Sequence, residues 1–251
     1  PRQPPRLPTR HSEVHQLPRT VAYDKSATLL GLDHAAVTRL HDGAQPVIVE
    51  GAMDLEAVRT LDAPFVPLAP CGTALTQEQL NTLRRIRGGE LTDLVLALDA
   101  DDAGRKAVMR TWTLLTPSEA EHAMVATLPE GSDPAQLVQD GLTDTLNQAL
   151  TEHRPLVDVL TDSVLANANL GHVEGRVAAL RVIASAVAPL SVDTIARVNT
   201  RLSAAFEDTL APDTIIDALI EAHLAATARS RPTHIPAPRT PGSSASAGPE
   251  I

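Results

Sequence analysis

Leu94-Val-Leu-Ala-Leu-Asp99-Ala-Asp101-Asp102-Ala-Gly104-Arg105 is an apolar run that ends on carboxylates and passes into a helix-like segment. A second stretch has the same grammar: Pro46-Val-Ile-Val-Glu50-Gly51-Ala-Met-Asp54. Each run is short and β-branched enough to be a buried parallel strand followed by a helix. Glu50, Asp99 and Asp101 then emerge at carboxyl strand ends, where open α/β sheets bind their ligands. Crowded carboxylates raise one another's pKa and repel unless a cation lies between them. The pattern therefore predicts a divalent-ion site. A lone Asp-x-Asp-Asp-x-Gly reads more simply as a helix cap. Two acidic strand ends together favour function, because a cap is usually Asp, Ser or Thr rather than Glu50.

Outward from these runs the α/β alternation continues. Strands are expected at 47–50, 65–69, 93–98 and about 122–128, and helices at 53–61, 76–87, 104–115 and from Asp133 to a stop at Gly141. The result is a four-stranded, mainly parallel sheet with helices on both faces, over residues 21–150. From 151 to 229, apolar residues recur at helical spacing in four stretches, predicting an all-α helical subdomain. Residues 1–20, rich in proline, read as a flexible arm, and 230–251 as a disordered linker. The chain opens on Pro1 rather than Met, so an excised piece of a longer protein is expected.

Composition narrows the chemistry. With 251 residues and 43% apolar content the chain can build a real core, but at 2% aromatic it offers few platforms for stacking bases. Cys71 is the single cysteine, which excludes an internal disulfide and a cysteine-based zinc module and fits a reducing cytoplasm. No secretion signal and no run of membrane-spanning length is present. The net charge of −10 argues against gripping phosphate backbones by bulk electrostatics. Local basic groups exist, and those around Arg84, Arg85 and Arg87 read as a solvated helix face. His11 and His15 are a chance pair in the arm. The signatures of serine hydrolases, phosphate-loop nucleotidases and dinucleotide dehydrogenases are missing.

The residues resemble the TOPRIM domain of the bacterial DNA primase type. Glu50-Gly51-Ala-Met-Asp54 is similar to its first motif and Asp99-Ala-Asp101-Asp102-Ala-Gly104-Arg105-Lys106 to its second. Those two also occur in topoisomerases and nucleases. Pro70-Cys-Gly72-Thr73-Ala74-Leu75-Thr76 and Leu128-Pro129-Glu130-Gly131-Ser132-Asp133-Pro134 are the primase-like signals. Upstream, Tyr23-Asp24-Lys25-Ser26 resembles the segment carrying a functional lysine, and Glu174-Gly175-Arg176 resembles part of the helical subdomain. The resemblance implies metal-dependent nucleotidyl transfer making short RNA primers in DNA replication. It implies Glu50, Asp99 and Asp101 as primary ligands of Mg2+ or Mn2+, two or more ions in all, with Asp54 and Asp133 as further ligands and no zinc. Lys25 joins the catalytic group, and Lys25, Gly104 and Arg105 face nucleotide phosphate. A single-stranded DNA template, nucleoside triphosphates and a replicative helicase or relaxase are the implied partners. Ala135 stands where the family usually has a second aspartate, which implies a weaker ion complement. A TOPRIM nuclease or strand-transfer enzyme, and a catalytically degenerate replication adaptor, are the alternatives.

Overall fold

The computed structural model describes residues 26–70, 74–99, 101–206 and 209–230. The arm, Lys25, Cys71 and the 231–251 tail lie outside the described residues. The described residues fall into two compact units, one ending at Asn167 and one beginning at Ala168. That division lies later than the expected boundary at 150.

Four parallel strands form the centre of the first unit: β2 (Gln45–Val49), β3 (Phe65–Pro70), β4 (Val95–Ala97) and β5 (Met124–Val125). Two edge strands run antiparallel to them, β1 (Leu29–Leu30) on β3 and β6 (Arg154–Pro155) on β5. The sheet order is β1-β3-β2-β4-β5-β6. Neither edge strand was expected, because two residues carry no alternation to read. Pairing of β6 with β5 carries the chain back onto the sheet, and α8 (Leu156–Asn167) follows directly as part of this unit.

Side chains along a strand point alternately to opposite faces, and the central strands are apolar on both. Ile48, Val66, Leu68, Leu94 and Leu96 pack on one side with α1 (His34–His41), α3 (Gln77–Arg87), α4 (Asp102–Trp112) and the start of α8, through Leu40, Leu80, Leu83, Val108 and Leu156. Val47, Val49, Phe65, Val95 and Ala97 pack on the other with α2 (Ala52–Arg59), α6 (Pro134–Gln139) and α7 (Thr143–Thr151), through Leu55, Val58, Leu137, Leu146 and Leu150. Burying one such aliphatic side chain contributes about 1.5–3 kcal/mol, so this two-sided layer is the main source of stability.

Gly88 ends α3 in the left-handed region at φ 73°, as the Gly88-Gly89 stop predicts. The short α5 (Pro117–His122) anchors the expected solvated face. Its Glu119 is fully buried and accepts from Arg84 Nε at 2.7 Å and Arg84 Nη2 at 2.6 Å. Backbone N–H groups of Leu91 and Thr116 also donate to it. Arg87 likewise pairs with Asp93 at 2.6 Å and donates to the Leu40 carbonyl. Arg84 and Arg87 are thus built into the fold, correcting the solvated reading; Arg85 is exposed. Thr116-Pro117-Ser118-Glu119 is a capping box with proline at its first helical position, a signal that sequence reading passed over.

The second unit holds α9 (Val173–Val187), α10 (Val192–Phe206) and α11 (Pro212–Ser230) around Leu180, Ile183, Val187, Val198, Leu202, Phe206 and Leu219. Among the described residues no helix is long and apolar enough to cross a membrane.

Candidate metal centre

Strands β2 and β4 are parallel neighbours with Val49 opposite Ala97, so Glu50 and Asp99 leave the sheet at the same edge. The Glu50 carboxylate reaches across that edge and accepts from the Asp99 backbone N–H at 3.3 Å. This contact joins residues 49 positions apart in sequence. Asp54, one turn into α2 and only 8% exposed, accepts from the Gly51 N–H at 3.1 Å and from the Ala135 N–H at 3.3 Å. Ala135, the position that departs from the family pattern, thus contributes a backbone donor. That donor ties α2 to α6.

Asp101 and Asp133 each cap a helix. Asp101 Oδ1 accepts from Gly104 N–H at 2.8 Å and Asp133 Oδ1 from Gln136 N–H at 2.6 Å. Each cap engages one carboxylate oxygen and leaves the other. Gly104 is required by packing rather than by φ. A Cβ built there would lie 2.1 Å from the Asp99 carbonyl oxygen, so the first turn of α4 lies directly on the backbone of Asp99.

The electrostatics are strained by like charge. Burial and the carboxylates of Glu50, Asp54, Asp133 and Asp101 push Asp99 up to about 6. Burial raises Glu50 as well; its hydrogen bond from Asp99 opposes this, while Asp101, Asp54 and Asp133 add to it. Burial also raises Asp54, against the Ala135 N–H and with Asp133. Asp99 Oδ1 is buried and, among the described residues, has no hydrogen-bond partner. A buried carboxylate oxygen without a donor costs free energy unless something positive meets it. Oxygen-only donors at such a place suit a hard divalent ion, which keeps several waters and takes one or two carboxylates. Among the described residues no three candidate ligand side chains already close on one ion-sized point. The structure brings Glu50 and Asp99 into contact, with Asp54, Asp101 and Asp133 near enough to act on both.

Arg105 lines an open groove between α4 and α8 with Lys106, Met109, Ser163, Ala166 and Asn167. Arg110, which sequence reading gave no role, lines a separate cavity together with Glu50.

A Toprim-like family profile matches residues 47–138. The DNA primase of Mycolicibacterium smegmatis is 35% identical over 167 residues, covering 65% of this chain and 26% of that protein. The chain thus spans about a quarter of the length of that curated relative. Among solved structures, the RNA polymerase domain of Mycobacterium tuberculosis primase DnaG in complex with double-stranded DNA aligns with a TM-score of 0.60 at 29% identity, covering 76% of this chain and 60% of that one. The DnaG primase catalytic domain bound to single-stranded DNA aligns with a TM-score of 0.58 at 25% identity, covering 76% of this chain and 59% of that one.

Proposed function

Since this chain carries a TOPRIM domain of the bacterial DNA primase type, we propose that it supplies the metal-binding part of a primase-type nucleotidyltransferase, one that makes short RNA primers on a single-stranded DNA template. One observation carries the reading. Among the described residues the buried Asp99 Oδ1 has no hydrogen-bond partner, the Asp99 N–H is bonded to the Glu50 carboxylate from the neighbouring strand, and the charges that act on Asp99 are those of other acids. Glu50, Asp99 and Asp101 are the primary ligands in this proposal, with Asp54 and Asp133 completing the acidic shell. Magnesium or manganese bound there would neutralise triphosphate charge, activate the attacking hydroxyl and stabilise the leaving pyrophosphate.

The chain's own residues set up that chemistry. The Asp99 N–H orients Glu50, the Gly51 and Ala135 N–H groups hold Asp54, and the caps on α4 and α6 fix Asp101 and Asp133. Such prearranged ligands need little reorganisation when charge develops. Lys25 and Arg105 are assigned to phosphate, and nucleoside triphosphates and a replicative helicase or relaxase in the cytoplasm are the proposed partners.

Manganese titration followed by thermal unfolding tests the site, and ribonucleotide incorporation on a single-stranded template tests the activity. Expected are a metal-dependent rise in Tm and metal-dependent products, both lost in Asp99→Ala. Metal-dependent strand cleavage without incorporation would replace this reading with the nuclease one. No manganese stabilisation and no product would leave the adaptor.

A further inference from the structure

The cations of α4 separate onto two sides of the helix. Arg105 and Lys106 face the α8 groove, whereas Ala103, Ala107 and Arg110 face a cavity of about 270 Å³ at the carboxyl end of β2. Ile48, Val49, Leu75 and Leu98 wall this cavity, and among the described residues Glu50 is its only acidic lining residue. Arg105 already has a bonding partner, but the Arg110 guanidinium has none among the described residues. Resting on the reading above, we propose that Arg110 is a positioning residue that binds the phosphate chain of the nucleotide, or the pyrophosphate it releases, as that chain extends from the Glu50 end of the cavity.

Three features support the assignment. A planar guanidinium presents several donors in a fixed fork that matches phosphate oxygens, and such charge-assisted bonds are the strong ones. The cavity is smaller than those that hold whole drug-sized ligands, so it suits a phosphate chain rather than an entire nucleotide. The two charged residues of its lining have complementary tasks: Glu50, in the acidic cluster, serves the ion, and Arg110 serves the oxygens that an ion leaves unneutralised.

The test is calorimetric titration of the 251-residue chain with manganese alone and then with manganese pyrophosphate, using wild type, Arg110→Ala and Arg110→Lys. Arg110→Ala should weaken pyrophosphate binding by about ten- to a hundredfold while leaving manganese affinity and Tm unchanged. Arg110→Lys should restore part of the loss. Manganese binding with pyrophosphate affinity absent, or equal in wild type and Arg110→Ala, overturns the assignment alone. Absence of manganese binding to wild type overturns the metal reading and the assignment with it.

Discussion

Replacing Asp99 by asparagine should make the metal-free protein more stable and the metal-loaded protein less so. In the folded chain the Asp99 carboxyl is raised from 3.8 to about 6 by burial and four neighbouring carboxylates. A carboxyl raised on folding favours the native state only while it is protonated. That contribution is complete below 3.8 and is lost as pH rises through about 6. At one pKa unit per 1.36 kcal/mol, the ionised group then costs at most about 3 kcal/mol at pH 8 and about 1.5 kcal/mol at pH 5, reduced by the water that still screens this half-buried carboxylate. Asparagine keeps the shape and removes the charge, so urea unfolding in chelator should show Asp99→Asn ahead by up to about 3 kcal/mol at pH 8, with the gap halved at pH 5. With manganese at a hundred times its dissociation constant, wild type gains about 2.7 kcal/mol and the variant gains far less. A variant that is less stable than wild type in chelator at pH 8, or that keeps the full manganese gain, refutes the reasoning.

Four further outcomes follow from the same geometry. Manganese affinity should fall steeply below pH 6, since the ion competes with the proton held by Asp99; a flat titration from pH 8 to 5 would contradict the raised carboxyl. Glu119→Ala should cost about 3–5 kcal/mol in urea unfolding, because it leaves the Arg84 guanidinium, only 17% exposed, without its partner. The acid limb should show the same pair. Burial opposes ionisation of Glu119, yet Arg84 and the Thr116 and Leu91 N–H groups bring it down to about 2, so its contribution is present above 4.5 and is lost as pH falls through about 2. Gly104→Ala adds a Cβ 2.1 Å from the Asp99 oxygen; overpacking of about 1–3 kcal/mol outweighs the helix-propensity gain of about 1 kcal/mol, and manganese stabilisation should drop with it.

Much of this was legible in the order of residues. The apolar runs ending at Glu50 and Asp99 placed β2 and β4, and Gly88-Gly89 placed the end of α3, because burial and punctuation leave strong local patterns. That Glu50 and Asp99 leave the sheet at one edge also followed, once both were put at carboxyl strand ends, whereas the bond from the Asp99 N–H to Glu50 did not. What escaped depended on tertiary contacts. The edges β1 and β6 are too short to show a period. Arg84 and Arg87 look like any exposed basic turn until Glu119 and Asp93 arrive from elsewhere in the chain. Arg105 and Arg110 lie on one amphipathic helix, and which of them shares a cavity with Glu50 depends on how Val108 seats α4 on the sheet.

The hydrogen bond between Glu50 and Asp99 also fixes when the centre can exist. During synthesis, a ribosome that has released Glu50 but not β4 exposes half of the proposed ligand set with nothing to complete it. Only when β4 slots in beside β2 does the second half arrive, so assembly of the centre and closure of the middle of the sheet are one event. Manganese-sensitive protection of the β2–β4 amides would therefore report on closure of the middle of the sheet, at the same atoms where the chemistry is proposed.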